Sequence, residues 1–112
     1  MGTLITQYRQ VIEAVLQDYA IFLGQEDGIQ QEIVFDRDHD HYLLIETGWQ
    51  NNRRIYGPFL HLDIIDGKVW IQHDGTEDGV AYDLEAAGIP KESIVLAFKS
   101  PDRRKLTDYA VA

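Results

Sequence analysis

Apolar side chains recur at three- and four-residue steps over residues 3–23: Leu4, Tyr8, Val11, Ile12, Val15, Leu16, Tyr19 and Phe22. That period places them on one stripe and predicts an amphipathic helix, with Thr3 as its N-cap and Gly24 as its stop. After a turn at residues 25–28 the period changes to two. Ile29, Ile33 and Phe35 alternate with Gln30, Glu32, Val34 and Asp36, which predicts a strand over 29–36. Residues 37–41 form a charged loop. A second strand follows over 42–49, with Leu43, Ile45 and Trp49 opposite Tyr42, Leu44 and Glu46. Gln50, Asn51 and Asn52 supply turn chemistry. A third strand spans 54–65 and is interrupted by Gly57-Pro58, where a bulge or an edge is expected because proline cannot donate to a ladder.

The Asp66-Gly67 dipeptide lies between two alternating runs and predicts a two-residue type I′ hairpin. Its geometry fixes the pairing of the next strand, 68–73. Ile65 faces Lys68, Ile64 faces Val69, Asp63 faces Trp70, Leu62 faces Ile71 and His61 faces Gln72. One face then carries Leu60, Leu62, Ile64, Val69 and Ile71 and must be the core. The other carries Phe59, His61, Asp63, Ile65, Trp70 and Gln72. Thr76 is expected to cap a second helix over 77–87, with Val80, Ala81, Leu84 and Ala87 buried and Gly88 and Pro90 as the stop. A short strand or extended segment is expected over 93–98. The order predicts one α+β domain over residues 1–112: an N-terminal helix, a four-stranded antiparallel meander, a second helix and a short C-terminal strand, with the helices on one face of the sheet.

Length agrees with a single domain, since 112 residues support one modest core. The longest apolar runs, 19–23 and 94–98, are far below the ~20 residues a bilayer needs. No signal-peptide pattern opens the sequence, and a soluble cytoplasmic protein without membrane partners is expected. The absence of cysteine removes disulfides, thiolate metal sites and one class of nucleophile. Charge alters the picture more. The net charge is −9 and it is uneven: residues 1–90 carry five basic against 16 acidic side chains, and residues 91–112 carry five against three. An acidic body repels phosphate, whose neutralisation supplies most duplex affinity, so nucleic acid is expected only indirectly. Lys99, Arg103, Arg104 and Lys105 are where direct contact could start.

Three places hold candidate chemistry. Asp36, Asp38, His39, Asp40 and His41 offer oxygen and imidazole ligands close together, with His39 and His41 as weak metal candidates. The spacing fits neither a calcium loop nor the HExxH arrangement, and a solvated loop is the expected reading, so no metal or cofactor is assigned. His61 and Asp63 project to the same face of one strand, as a base and its orienter would, but no hydroxyl nucleophile is placed beside them. A contact surface is the stronger reading of that face. Trp49, Arg53, Arg54 and Tyr56 lie at the far end of the same sheet, and Trp, Tyr and Arg are the types that carry interface energy. The candidate partner-contact residues are therefore Trp49, Arg54, Tyr56, His61, Asp63, Trp70, Gln72 and, in the apolar end 109–112, Tyr109. That end either tucks into the domain or docks on a second chain. The segment from Gly75 to Gly79 superficially resembles a phosphate loop, but it lacks the lysine and carries two acids.

Taken whole, the sequence resembles the XisI family, the excision-controlling factors of the fdxN element in cyanobacteria. The resemblance is carried by YRQVIEAVLQDYA at 8–20, DRDHDHYLLIETGW at 36–49, RRIYGPFLHLDIIDGKVWIQHDGTEDG at 53–79, LEAAGIPKESIVLAF at 84–98 and YAVA at 109–112. It implies a part in programmed excision of a DNA element by a site-specific recombinase, alongside a companion factor, XisH, that is similar to endonuclease-like proteins. It brings no catalytic residues with it. A non-enzymatic accessory protein is expected, contacting a XisH-like or recombinase chain and self-associating, most simply as a C2 homodimer. Two alternatives are a direct DNA-binding regulator using Arg103, Arg104 and Lys105, and a metal-dependent hydrolase or nuclease subunit using His39, His41 or the His61/Asp63 pair.

Overall fold

The structure, a computed structural model, describes residues 3–112. Helix α1 spans Leu4–Leu23, and the Thr3 hydroxyl accepts the Thr6 amide as the cap. Its buried stripe is Tyr8, Ile12, Val15 and Leu16, while Leu4 and Phe22 stay exposed. Strands β1 (Ile29–Asp36), β2 (His41–Gln50), β3 (Arg53–Ile65) and β4 (Lys68–Asp74) form the expected antiparallel meander. Asp66 and Gly67 both have positive φ, 51° and 79°, as a type I′ turn requires. The four pairs nearest that turn are the expected ones, from Ile65–Lys68 to Leu62–Ile71.

Beyond them the ladder departs from strict alternation twice. Gln72 is an extra residue on β4, so His61 pairs with His73 and not with Gln72. Phe59 is an extra residue on β3, because Leu44 pairs with Leu60 while Ile45 pairs with Pro58. This second bulge is the irregularity expected at Gly57-Pro58. It turns Phe59 toward the helices, where its ring lies 6.2 Å from that of Tyr19, rather than onto the open face.

Helix α2 is Val80–Ala86, three residues later than the sequence pattern suggests. Asp74 supplies the reason. Its carboxylate accepts the Thr76 amide and hydroxyl on one oxygen and the Val80 amide on the other, holding residues 75–79 as a turn. Val80, Ala81 and Leu84 are buried as expected, but Ala87 is exposed. A 3₁₀ turn, Lys91–Ser93, leads into β5, Ile94–Val95. β5 is shorter than expected and pairs with β4 in parallel, making the sheet five-stranded and mixed. Parallel pairing follows from the crossover through α2. A one-turn helix α3, Pro101–Arg104, ends the regular structure.

Helices α1 and α2 cover one face of the sheet, and the core lies between: Ile12, Leu16, Tyr42, Leu44, Leu60, Leu62, Val69, Ile71, Val80, Leu84 and Ile94. Two bidentate ion pairs fasten α1 to the β1–β2 loop, Arg9 to Asp40 (2.7 and 3.1 Å) and Arg37 to the buried Glu13 (2.7 and 2.6 Å). Such fork-to-fork bonds fix orientation as well as position. No helix among the described residues is long and apolar enough to cross a membrane.

Candidate functional site on the open sheet face

Alternation puts the odd-numbered residues of β2 on the face away from the helices, because Tyr42 and Leu44 fill the core. The β2–β3 register then sets His41 opposite Asp63, Leu43 opposite His61, Thr47 opposite Tyr56 and Trp49 opposite Arg54. The parity change at Phe59 is what brings the even-numbered Arg54 and Tyr56 onto the same face as the odd-numbered His61 and Asp63. The open face thus has two poles.

At one pole Asp63 is 6% exposed and sits between two imidazoles. Its Oδ1 accepts from His41 Nδ1 at 2.8 Å and from His61 Nε2 at 2.9 Å, and its Oδ2 accepts from Gln72 Nε2 at 3.2 Å. A carboxylate only accepts, so each of those ring nitrogens carries its proton. The His41 and His61 rings meet edge to face, 6.4 Å apart. The Asp63 hydrogen bond, then its charge, raises the His41 pKa; Asp36 and Asp40 add to the rise and desolvation opposes it. A raised folded value means that protonated His41 stabilises the fold fully below its unfolded pKa of about 6.5, and that this gain is lost as pH rises through the folded value. His41→Gln is therefore expected to lower the melting temperature most near pH 6, with the gap to the native chain narrowing as pH rises through the raised folded value. A gap independent of pH would contradict the pairing.

The acidic loop cluster does not act as a unit. Asp40 points to the helix side, held by Arg9 and by the Tyr42 hydroxyl at 2.8 Å, and the Arg9 guanidinium keeps its carboxyl below the usual range. Asp36 caps its own loop, accepting the Asp38 and His39 amides and the His39 ring. His39 stacks on His41 at 6.5 Å but is tied to Asp36, while Asp38 is exposed. Only His41 leaves the loop to join His61 and Asp63. Those two places in the sequence, read separately from the chain, are one site in space.

At the other pole Trp49 and Tyr56 are 60% and 73% exposed, and the Arg54 guanidinium lies 5.5 Å from one ring and 5.6 Å from the other. Trp70 is different. It is half-buried, with the Arg104 guanidinium 5.4 Å from its ring. Arg104 in turn donates to the carbonyls of Leu96, Ala97, Lys99 and Val111. One of the strip's two arginines is thereby engaged within the fold, leaving Arg103 and Lys105 exposed beside Asp102. The apolar end is tied to the domain at Tyr109 and Ala110, while Val111 and Ala112 stay exposed. The Ala110 amide bonds the Ile94 carbonyl at 2.9 Å, and the Tyr109 hydroxyl bonds Glu85 at 2.6 Å. Tyr109 is packed against the core rather than offered to solvent.

The sequence profile described as XisI protein matches residues 1–111. The chain belongs to the XisI family. Two solved structures share the fold at family-level identity. A XisI-like protein from Anabaena variabilis is 34% identical, with a TM-score of 0.88, over 98% of this chain and 100% of that one. The fdxN element excision controlling factor XisI from the same organism is 32% identical, with a TM-score of 0.85, over the same shares. No curated protein matches the chain. In this XisI-family chain, the sequence run carrying the resemblance at 53–79 contains β3, β4 and both bulges, and with them Arg54, Tyr56, His61 and Asp63 of the open face.

Proposed function

We propose that this chain is an accessory protein in the control of DNA-element excision and that it works by binding another protein, without a catalytic step of its own. The role in excision rests on its likeness to a protein named as the fdxN element excision controlling factor. The protein-binding part rests on one observation: an open sheet face that presents Trp49 and Tyr56 to solvent around a shared Arg54. Large aromatics clamped by arginine are rigid, bury much area and lose little entropy on docking. The acidic body, at −9 overall, supports a protein partner over DNA. The internal use of Arg104 also removes a cation from the direct DNA-binding reading. The partner fitted to this reading is a XisH-like, endonuclease-like chain or the recombinase itself.

The test is capture from native lysate with the tagged chain, mass measurement of the co-eluting polypeptide, and repetition with Trp49→Ala/Tyr56→Ala. Two lost hot-spot residues are expected to weaken capture about 30-fold or more. An undiminished complex would remove the open face from the account. Salt-sensitive retention of an oligonucleotide by the pure chain would replace the protein-binding reading with the DNA-binding one.

A further inference from the structure

We propose that His41, His61 and Asp63 form a binding site for a single divalent transition-metal ion of the zinc type. His41 Nδ1, His61 Nε2 and an Asp63 carboxylate oxygen all lie within 4.8 Å of one another. Both imidazole nitrogens already aim at the same oxygen, at 2.8 and 2.9 Å. An ion at their centre would take the place of the two protons there. Bond lengths of about 2.1 Å around a tetrahedral ion need ligand atoms about 3.4 Å apart, so the group must open by about half an ångström. His41 can give that, since it is the first residue of β2 and its side chain is half exposed.

The donor set selects the ion. Two imidazoles and one carboxylate suit zinc, cobalt or nickel, whereas calcium and magnesium take oxygen ligands in larger number. Support around the ligands is in place as well. Gln72 Nε2 holds the second Asp63 oxygen and fixes the carboxylate plane, the outer-sphere role that sets affinity at such centres. Leu62 and Tyr42, fully buried beside the ligand positions, keep the two strands rigid. The exposed sides of both imidazoles leave a fourth position open to water. The surrounding chain, net negative, favours a cation.

The experiment uses the untagged full chain, stripped with chelator and titrated with Zn²⁺ by calorimetry at neutral pH. Co²⁺ serves as a second, spectroscopic probe. The expected result is one ion per chain, with Co²⁺ giving the intense visible bands of four-coordinate geometry. His41→Ala and His61→Ala each weaken binding by more than the about tenfold expected for Gln72→Ala. His39→Ala, which lies outside the ligand set, binds as the native chain does. Far-ultraviolet circular dichroism verifies the fold of each variant, and the two histidine variants decide the matter if Asp63→Asn does not fold. The proposal is overturned if the native chain shows no saturable binding, if His41→Ala and His61→Ala bind as tightly as native, or if His39→Ala abolishes the site.

Discussion

Leu62→Ala is expected to destabilise the chain by about 3–4 kcal/mol and to lower its melting temperature by roughly 10 °C or more. Leu62 is fully buried and lies between Tyr42 on β2 and Ile71 on β4, at the centre of the sheet. The packed core around it includes Leu44, Leu60 and, from α1, Ile12 and Leu16. Those neighbours are held by ladder bonds and by the two bidentate ion pairs of α1, so they cannot collapse into the space a leucine leaves. The cavity then costs free energy beyond the lost transfer of the side chain. A domain of this size has only about 5–15 kcal/mol in hand, so the loss is a large share of it. Ile65→Ala, three residues along but 40% exposed, is the matched control and should cost well under about 1 kcal/mol. Thermal unfolding of the two variants side by side checks the contrast, and equal losses would contradict the assignment of the core face.

Gly48→Ala is expected to cost about 2–3 kcal/mol, the upper range for forcing atoms into a packed position. Gly48 sits opposite Ile29 on β1, and a Cβ there would lie 2.0 Å from the Gly28 carbonyl oxygen and 2.9 Å from the Ile29 Cα. Both are backbone atoms, so no side chain can swing away. The strands must part at that end, and the bond from the Trp49 amide to the Gly28 carbonyl, 3.0 Å, is the first to go. Since Trp49 belongs to the proposed contact face, the same change should blur that face as well as weaken the fold. Urea unfolding together with amide exchange at residues 29–31 reads both effects. A native midpoint with native protection would show that the two backbones are not in such close approach.

Much of the architecture is legible in the chain itself. The 3.6-residue stripe of α1, the alternation of β1 to β4 and the Asp66-Gly67 turn are local features. Each is set by side-chain chemistry within about ten residues of itself; the helix, the four strands and the turn are present, with the alternation broken only at the Phe59 and Gln72 bulges and the stripe exposed at Leu4 and Phe22. The acidic body and the lack of thiols are likewise properties of composition alone. The start of α2 was harder to read because Asp74, outside the expected helix, captures the Val80 amide and delays the first turn. The parallel pairing of β5 depends on where the α2 crossover delivers the chain, which no local pattern encodes.

The candidate site shows the division most clearly. The types that compose it, two histidines and an aspartate, stand in the sequence as two unrelated fragments 22 residues apart. Alternation says which residues share a face within one strand, but it does not say which residue of the next strand stands opposite. That is decided by long-range packing of Leu44, Leu60 and Leu62 under the helices, which locks β2 against β3 with one extra residue at Phe59. A single inserted residue reverses inward and outward beyond it. So the chain dictates the elements, the hairpin and the charge. The fold alone decides that His41 meets Asp63 and that Arg54 shares their face, because register and bulges are fixed by the cooperative filling of one core.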